Sequence, residues 1–232
     1  MRRIPRLFLG VTAAALLTAG CGPEDEAATG DPADKPGAAS SPAPARSTAD
    51  AGPLAVRITG PQEGVATSGS DMKDPPGRPG SGADFVSQVE YALQGDLLSD
   101  ALVEGRTTAV CPDGVTRRAN ASSACTVTYE GVEIPYTVTI GESYEDGDIL
   151  TPYRAEPKKR LLVAERVHHA FWEQFGGAAG MTLSCEKMPA AEAVDDGAPT
   201  GHVCRTIREG GRAADYEVTA DSSGPRFGRV RD

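Results

Sequence analysis

The sequence predicts an α+β fold of two tandem modules, each a helix packed on a small antiparallel sheet with one disulfide, after a disordered tether. Three observations lead to this prediction. The segment from residue 81 onwards contains an internal repeat of roughly 75 residues. Each copy places helical periodicity ahead of strand-like alternation. Each copy also carries two cysteines, which suits a small fold in a chain with only 5% aromatic residues.

The repeat is visible when the second cysteine of each copy is aligned. Cys125 then matches Cys204, and Glu130-Gly131 stands opposite Glu209-Gly210 in the turn that follows. The alternative is that short strands and glycine turns resemble one another without any repetition. The shared order of helix, strand and hairpin favours two copies of one module.

The first copy spans residues 81–155 and opens with a capping-box pattern at Ser81–Asp84. Apolar residues follow at helical spacing from Phe85 to Leu97, interrupted by Gly95, and predict one helix. A strand that ends at the first cysteine comes next. The second cysteine begins a hairpin in which Val, Thr, Tyr and Ile alternate.

The second copy spans residues 156–232 and repeats this order. Pro157 occupies a position typical of a first helical turn, and apolar residues continue at helical spacing from Leu161 to Phe175. Gly176-Gly177 then ends the predicted helix. A strand and a hairpin again carry the two cysteines.

Four cysteines in this region allow three disulfide connectivities. Repeat symmetry favours Cys111–Cys125 and Cys185–Cys204, because each pair then joins one strand to the hairpin beside it. Closing loops of this size adds about 3 kcal/mol of stability each. An exported protein meets the oxidising conditions that such bonds need.

Residues 1–20 carry the features of a secretory signal peptide. Arginines precede the apolar run Leu7–Leu17, which would reach roughly 17 Å as a helix, against ~30 Å for a hydrocarbon core. The run therefore reads as a signal-peptide core and not as a membrane span. The residues that follow, Leu17-Thr-Ala-Gly-Cys21, resemble the lipobox of bacterial lipoproteins.

This resemblance implies cleavage before Cys21, attachment of a diacylglyceryl group to its thiol, and anchoring on the outer face of the cytoplasmic membrane. Two or three acyl chains hold a protein stably at a bilayer, whereas one does not. The alternative is an ordinary signal peptide with an incidental cysteine. Lipidation also explains why the chain has a fifth cysteine besides the two predicted pairs.

Residues 21–80 are rich in Ala, Gly, Pro, Ser, Thr and Asp, and we predict a disordered tether that follows the lipidated cysteine. A flexible chain of this length spans about 40–45 Å. Leu54–Ile58 is the stretch most compatible with a short strand. Ser70–Lys73 matches the S-x-x-K of penicillin-binding enzymes, but the S-D-N and K-T-G elements are missing, so we interpret the match as chance.

The first copy carries a second resemblance. Val110-Cys-Pro112, followed by the Cys-Thr-Val strand that begins at Cys125, is similar to a domain of unknown function in actinobacterial secreted proteins and lipoproteins. The second copy departs from this pattern, with Glu186 in place of the proline. The resemblance implies no activity and no catalytic residues. Tandem helix-on-sheet units with one disulfide each also resemble secreted β-lactamase inhibitor proteins, an analogy of fold alone.

The net charge of the chain argues against nucleic acid and anionic lipid surfaces as partners. The net charge is −10, and it becomes −13 once residues 1–20, with three arginines and no acid, are removed. A strongly acidic protein is not expected to bind nucleic acid or to lie flat on anionic lipid. The lipid is therefore the only membrane contact that we predict.

Candidate metal and catalytic residues are few. His168 and His169 are neighbours that would point in different directions on a helix, and His202 stands alone, so no metal site is predicted. The acidic stretches Glu145–Asp148 and Asp195-Asp196 lack the spaced ligands of a calcium loop and are typical of turns. We interpret Trp172, together with Phe171 and Phe175, as core residues; the alternative is a platform for a ligand. No catalytic residue and no cofactor is predicted.

These observations predict a non-enzymatic lipoprotein of the cell envelope that binds another component outside the membrane. Its partner would be an envelope protein, a wall polymer or a small ligand. An inhibitor or accessory subunit of an exported enzyme is an alternative. An exported hydrolase with a triad that no local motif reveals is a further one.

Overall fold

Strands make up most of the regular structure in the computed structural model of the protein, which describes residues 52–231. The strand pairs run antiparallel, and two helices pack on the sheets, so the predicted α+β class is confirmed for these residues. The helices are α1 (Phe85–Ala101) and α2 (Ala164–Phe175). The strands are β1 (Val56–Ile58), β2 (Thr107–Val110), β3 (Ser122–Tyr129), β4 (Val132–Ile140), β5 (Tyr153–Pro157), β6 (Arg160–Val163), β7 (Met181–Cys185), β8 (Ala191–Val194), β9 (Pro199–Arg208), β10 (Ala213–Asp221) and β11 (Gly224–Arg229).

The first sheet has four strands in the order β2-β3-β4-β5 and packs against α1. In β4 every second residue from Ile134 to Ile140 is buried, as expected for a strand with one face on a core. The helix residues that face this sheet recur at helical spacing and are Val89, Leu93, Leu97, Leu98 and Ala101.

Helix α1 differs from its predicted form at its N-terminal cap and at Gly95. Asp84, and not Ser81, caps the helix, because its carboxylate accepts a hydrogen bond from the Ser87 amide at 2.9 Å. The helix continues through Gly95, which lies beside Pro75. Burial of the leucines on either side outweighs the weak helix propensity of glycine.

The Asp84 cap predicts a dependence of stability on pH. Hydrogen bonds from Ser87 lower the pKa of Asp84 below its ordinary value of 3.8. The cap therefore stabilises the fold fully above pH 3.8, and its contribution is lost as the pH falls through the lowered pKa. In urea denaturation, D84A is expected to be destabilised at neutral pH, whereas D84N keeps an acceptor and loses only the pH dependence. Equal stability of D84A and wild type at pH 7 would contradict this role.

The second sheet has five strands in the order β1-β7-β9-β10-β11 and packs against α2. Phe171 is fully buried at the centre of the helix and contacts the rings of Tyr216 and Phe227, with centroids 5.9 and 4.9 Å away. Val167 and Leu183 complete this core and are also almost fully buried. Side-chain packing of this helix onto the sheet therefore holds the second half of the fold together.

Helix α2 begins at Ala164, seven residues later than the predicted first-turn position at Pro157. Residues Arg160–Val163 form β6 instead and pair with β8. Leu161 and Val163 face the first core while Leu162 faces the second, so both sides of this strand are buried. A run of apolar residues buried on both sides does not show the alternation of an ordinary strand. For this reason the prediction that the helix includes Leu161 was wrong.

The β6–β8 ribbon connects the two halves of the fold. Its residues contribute to both hydrophobic cores, and the predicted module boundary between residues 155 and 156 falls inside β5. The described residues accordingly belong to one compact unit. Within residues 52–231, β6 ends directly where α2 begins, whereas a 3-10 turn is the element that precedes α1.

Part of the predicted tether is ordered. Residues 52–80 include β1, which pairs with β7 through Val56–Ile58, and a 3-10 turn at Gly69–Asp71. Ile58 is only 4% exposed, and the amide of Leu54 donates to Ser184 Oγ at 2.9 Å. β1 covers the edge of β7, whose backbone groups would otherwise lack partners. The signal peptide, Cys21 and the tether up to residue 51 lie outside the described residues.

The docking of β1 leads to a prediction about stability. I58A is expected to lower the free energy of unfolding by about 2–5 kcal/mol, because a buried side chain is removed from the core. R57A, which changes the exposed neighbour on the opposite face of β1, is the matched control and is expected to change the same quantity by about 0.5 kcal/mol or less. Urea denaturation measures both. Equal, small effects would show that β1 does not pack on the sheet in solution.

Two disulfides join neighbouring strands, and they are the pairs that repeat symmetry favours. Cys111, which directly follows β2, is bonded to Cys125 in β3, and Cys185 in β7 is bonded to Cys204 directly opposite in β9. All four cysteines are buried. Bonds of this kind indicate an oxidising compartment outside the cytoplasm. Among residues 52–231, neither helix has the length and apolar character needed to cross a membrane.

Candidate functional site

A cavity of about 220 Å³ opens where α2 ends above the inner face of the second sheet. We call this cavity the arginine pocket. It is defined by Arg208, Arg212, Arg229, Phe175, Tyr216 and Thr206. These side chains come from a helix end, three strands and one turn, so the fold brings together residues that are distant in sequence.

An aromatic wall forms one side of the arginine pocket. Phe175 is the last residue of α2, and its ring lies 4.6 Å from the ring of Tyr216 on β10, measured between centroids. Both rings are half-buried and rest on Phe171, which is fully buried behind them. The wall is therefore rigid, and its partly exposed rings present an apolar surface to the cavity.

Three arginines surround the opening of the pocket. Arg208 ends β9, and Arg229 ends β11 directly opposite Tyr216. Arg212 lies in the turn between β9 and β10. None of the three guanidinium groups forms a hydrogen bond or an ion pair with another residue in the range 52–231. Three cations without acidic partners are notable in a chain whose net charge is −10.

The turn that carries Arg212 is fixed by its backbone. Gly210 and Gly211 both have left-handed φ angles, 93° and 86°, which other residues adopt only with strain. The Arg208 amide donates to the Arg212 carbonyl at 3.0 Å. The Glu209 amide donates to Gly180 at 3.0 Å, which ties the turn to the segment before β7. Arg208 and Arg212 therefore project from a defined scaffold.

The floor of the pocket is small and partly polar. Thr206 on β9 is 4% exposed and stands directly opposite Ala214 on β10. The short side chains of Ala213 and Ala214 leave the space that the cavity occupies. The Thr206 hydroxyl forms no hydrogen bond with the rest of the described chain, so it is free to bind a ligand atom.

A buried ion pair supports the same strands from the opposite face of the sheet. Arg205 Nε donates to Asp215 Oδ1 at 2.5 Å, and a second guanidinium nitrogen donates to Oδ2 at 2.8 Å. The two side chains are only 8% and 10% exposed. Asp215 raises the pKa of Arg205 above its ordinary value. A third bond reaches the carbonyl of Gly52 at 2.9 Å and fastens the segment before β1.

The three histidines have different surroundings in the structure. The His169 ring accepts a hydrogen bond from the Gln62 amide at 3.2 Å, and His202 bonds Glu192 at 2.5 Å. Burial lowers the pKa of His168, whose Nε2 has no hydrogen-bond partner. Within residues 52–231 no three His, Cys, Asp or Glu side chains are grouped so that they would hold a metal ion.

The side chains of the S-x-x-K segment and of the acidic stretches form local hydrogen bonds and ion pairs. In the S-x-x-K segment, Ser70 bonds Ser68 at 2.7 Å whereas Lys73 pairs with Glu104 at 3.6 Å, so the serine and the lysine do not form a catalytic pair. The acidic stretches also lie in turns with partners. Asp195 and Asp196 pair with Lys159 and Arg160, and Asp148 accepts a hydrogen bond from the Glu145 amide.

Sequence reasoning missed the arginine pocket. Trp172 is half-buried and packs against the second core, as predicted. Phe175 also packs against this core, but in addition it forms part of the cavity wall. A signal did exist, since arginines stand at the ends of β9 and β11 and in the turn between β9 and β10. Their convergence depends on the strand register, which no local pattern encodes.

The chemistry of the pocket suits the binding of an anion. Arginine stays protonated at all physiological pH values and does not act as a general base. No histidine, carboxylate or thiol belongs to the described lining, so the Thr206 hydroxyl has no base beside it. The lining has an aromatic wall, the hydroxyls of Thr206 and Tyr216, and three guanidinium groups, which together suit an anion attached to an apolar ring.

Comparison of the chain with protein-family models, with curated proteins and with solved structures gave no match. The functional argument therefore depends on the chemistry of the pocket and on the sequence features described above.

Proposed function

We propose that this protein is a non-enzymatic, lipid-anchored component of the cell envelope that binds an anionic ligand through the arginine pocket. The observation that carries the proposal is the group of three guanidinium groups, all without acidic partners, around an aromatic-walled cavity. Unneutralised cations at one site attract anions and bind them by charge-assisted hydrogen bonds. The absence of a base or thiol from the described lining favours a binding protein over a hydrolase.

The lipid anchor is supported by the leader and by the disulfides. The lipobox-like residues before Cys21 follow a secretory core, and two disulfides fit export to an oxidising compartment. Mass spectrometry of protein extracted from membranes tests the anchor. We expect an N-terminal peptide that begins at diacylglyceryl-modified Cys21. An uncleaved leader with an unmodified Cys21 thiol would contradict it.

The tandem-module organisation belongs to the same proposal. The orders β2-β3-β4-β5 and β7-β9-β10-β11 correspond strand for strand, and a helix precedes each set. A disulfide links the first and second strands of each set. We infer two copies of one unit, of which the second has gained the β6–β8 ribbon, the edge strand β1 and the arginine pocket.

Anion binding is tested with a triple variant and a control of equal charge. R208Q/R212Q/R229Q removes the three pocket cations, whereas R57Q/R118Q/R154Q removes three exposed arginines elsewhere on the surface. Calorimetric titration of the mature, lipidated protein with benzoate, phenyl phosphate and neutral phenol measures affinity. We expect at least one of the two anions to bind wild type and the control variant but not the pocket variant. Equal affinity of all three proteins for every compound would contradict the proposal.

A further inference from the structure

We infer that the ligand of the arginine pocket is a small ring that carries a terminal phosphoryl group, with the ring on the aromatic wall and the phosphoryl oxygens on the arginines. This inference rests on the proposed function and specifies its ligand. It depends on three properties of the pocket: the number of cations, the spread of the elements that carry them, and the size of the cavity.

The number of cations distinguishes a phosphoryl group from a carboxylate. A carboxylate has two oxygens in one plane, and a single bidentate arginine can bind both of them. A terminal phosphoryl group has three acceptor oxygens and a charge of about −1.5 to −2 at neutral pH. Three guanidinium groups without acidic partners provide one cation for each phosphoryl oxygen, and their combined charge is sufficient to neutralise the group.

The arginines also approach from different directions. Arg208 and Arg229 end strands that are separated by β10, and Arg212 lies in the turn between β9 and β10. The oxygens of a carboxylate accept hydrogen bonds mainly near one plane, whereas residues at three such positions surround a group from several sides. The oxygens of a tetrahedral group point in three directions, and the Thr206 hydroxyl at the floor provides one further donor.

The cavity limits what is attached to the phosphoryl group. Its volume of 220 Å³ is below the range of about 300–1,000 Å³ typical of drug-sized ligands. The partly exposed rings of Phe175 and Tyr216 offer a face for one aromatic or sugar ring. A nucleotide or a long acyl chain would extend well beyond this space, so we assign a single ring.

The experiment compares four compounds on the full mature protein by calorimetry. We expect phenyl phosphate to bind roughly tenfold tighter than benzoate, with inorganic phosphate weaker than phenyl phosphate and phenol not binding. Affinity for phenyl phosphate is expected to rise as the pH passes about 6, where the phosphoryl group gains its second charge. R208Q/R212Q/R229Q is expected to lose both the binding and this pH dependence, and R57Q/R118Q/R154Q to keep both.

The outcomes separate this inference from the proposed function. If benzoate binds as tightly as phenyl phosphate and the pocket variant still loses binding, the phosphoryl assignment is wrong and anion binding stands. If no anion distinguishes the pocket variant from its control, both are wrong.

A competition arm identifies the source of the phosphoryl group. Vesicles with phosphatidylinositol 4-phosphate present a single ring with a terminal phosphoryl group, whereas phosphatidylglycerol vesicles of equal charge present only a diester and no ring. Displacement of phenyl phosphate by the first alone indicates a lipid headgroup, and displacement by neither indicates a soluble or wall-borne phosphomonoester. Displacement by both to the same extent would show that only charge is recognised, which would overturn the assignment of a terminal phosphoryl group.

Discussion

D215N is expected to lower the free energy of unfolding by about 3–5 kcal/mol, the effect of removing one partner from a buried ion pair. Asparagine has nearly the shape of aspartate but no charge, so the Arg205 guanidinium would lose the carboxylate that it contacts directly. Both side chains are 10% exposed or less, and water cannot replace the missing partner. For a protein of this size the loss corresponds to a fall of about 6–20 °C in Tm.

A surface pair provides the control for this substitution. Arg154 and Glu156 are 2.8 Å apart, but their side chains are 81% and 53% exposed. E156Q is therefore expected to change the free energy of unfolding by less than about 1 kcal/mol. The double variant R205L/D215L removes both buried charges and is expected to recover much of the stability lost in D215N. A loss below about 1 kcal/mol in D215N would show that the pair is open to solvent.

Removal of the Cys185–Cys204 disulfide is expected to have the second large effect. The bond closes a loop of 19 residues, and C185A/C204A is expected to lower the free energy of unfolding by about 3 kcal/mol through the gain in entropy of the unfolded chain. Both cysteines are completely buried beneath α2, so lost packing adds to this effect.

The first disulfide is the matched comparison. Cys111–Cys125 spans 14 residues, and C111A/C125A is expected to lose a similar amount, about 3 kcal/mol. Urea denaturation with and without dithiothreitol measures both variants and wild type. The reductant is expected to destabilise wild type and to have no effect on the variant that lacks all four cysteines. Free thiols in the folded wild-type protein would contradict the assignment of both bonds.

The sequence predicts those features whose signals are local. The apolar spacing from Phe85 to Leu97 identifies α1, and the alternation after Cys125 identifies the hairpin of β3 and β4. The aligned cysteine pairs also indicate the two disulfides seen in the structure. The signals for the helix and the hairpin each lie within a short stretch of the chain, whereas the disulfide pairing follows from a repeat of roughly 75 residues.

Features that depend on tertiary contacts are not predictable in this way. Val56–Ile58 is a strand of only three residues in a polar, proline-rich stretch of the sequence, so it has no clear strand pattern. Its partner β7 lies more than a hundred residues away in the chain. Leu161–Val163 forms a strand because cores lie on both of its sides, which no single-sequence period shows. The arginine pocket belongs to the same class, since strand register alone brings Arg229 beside Tyr216.

The most direct test of anion binding at the arginine pocket is an NMR titration of the isotope-labelled mature protein with phenyl phosphate. We expect the largest backbone amide shifts at Thr206, Arg212, Tyr216 and Arg229, and little change in the first sheet. Shifts centred on β2–β5, or no saturable shift in the second sheet, would contradict the proposed function.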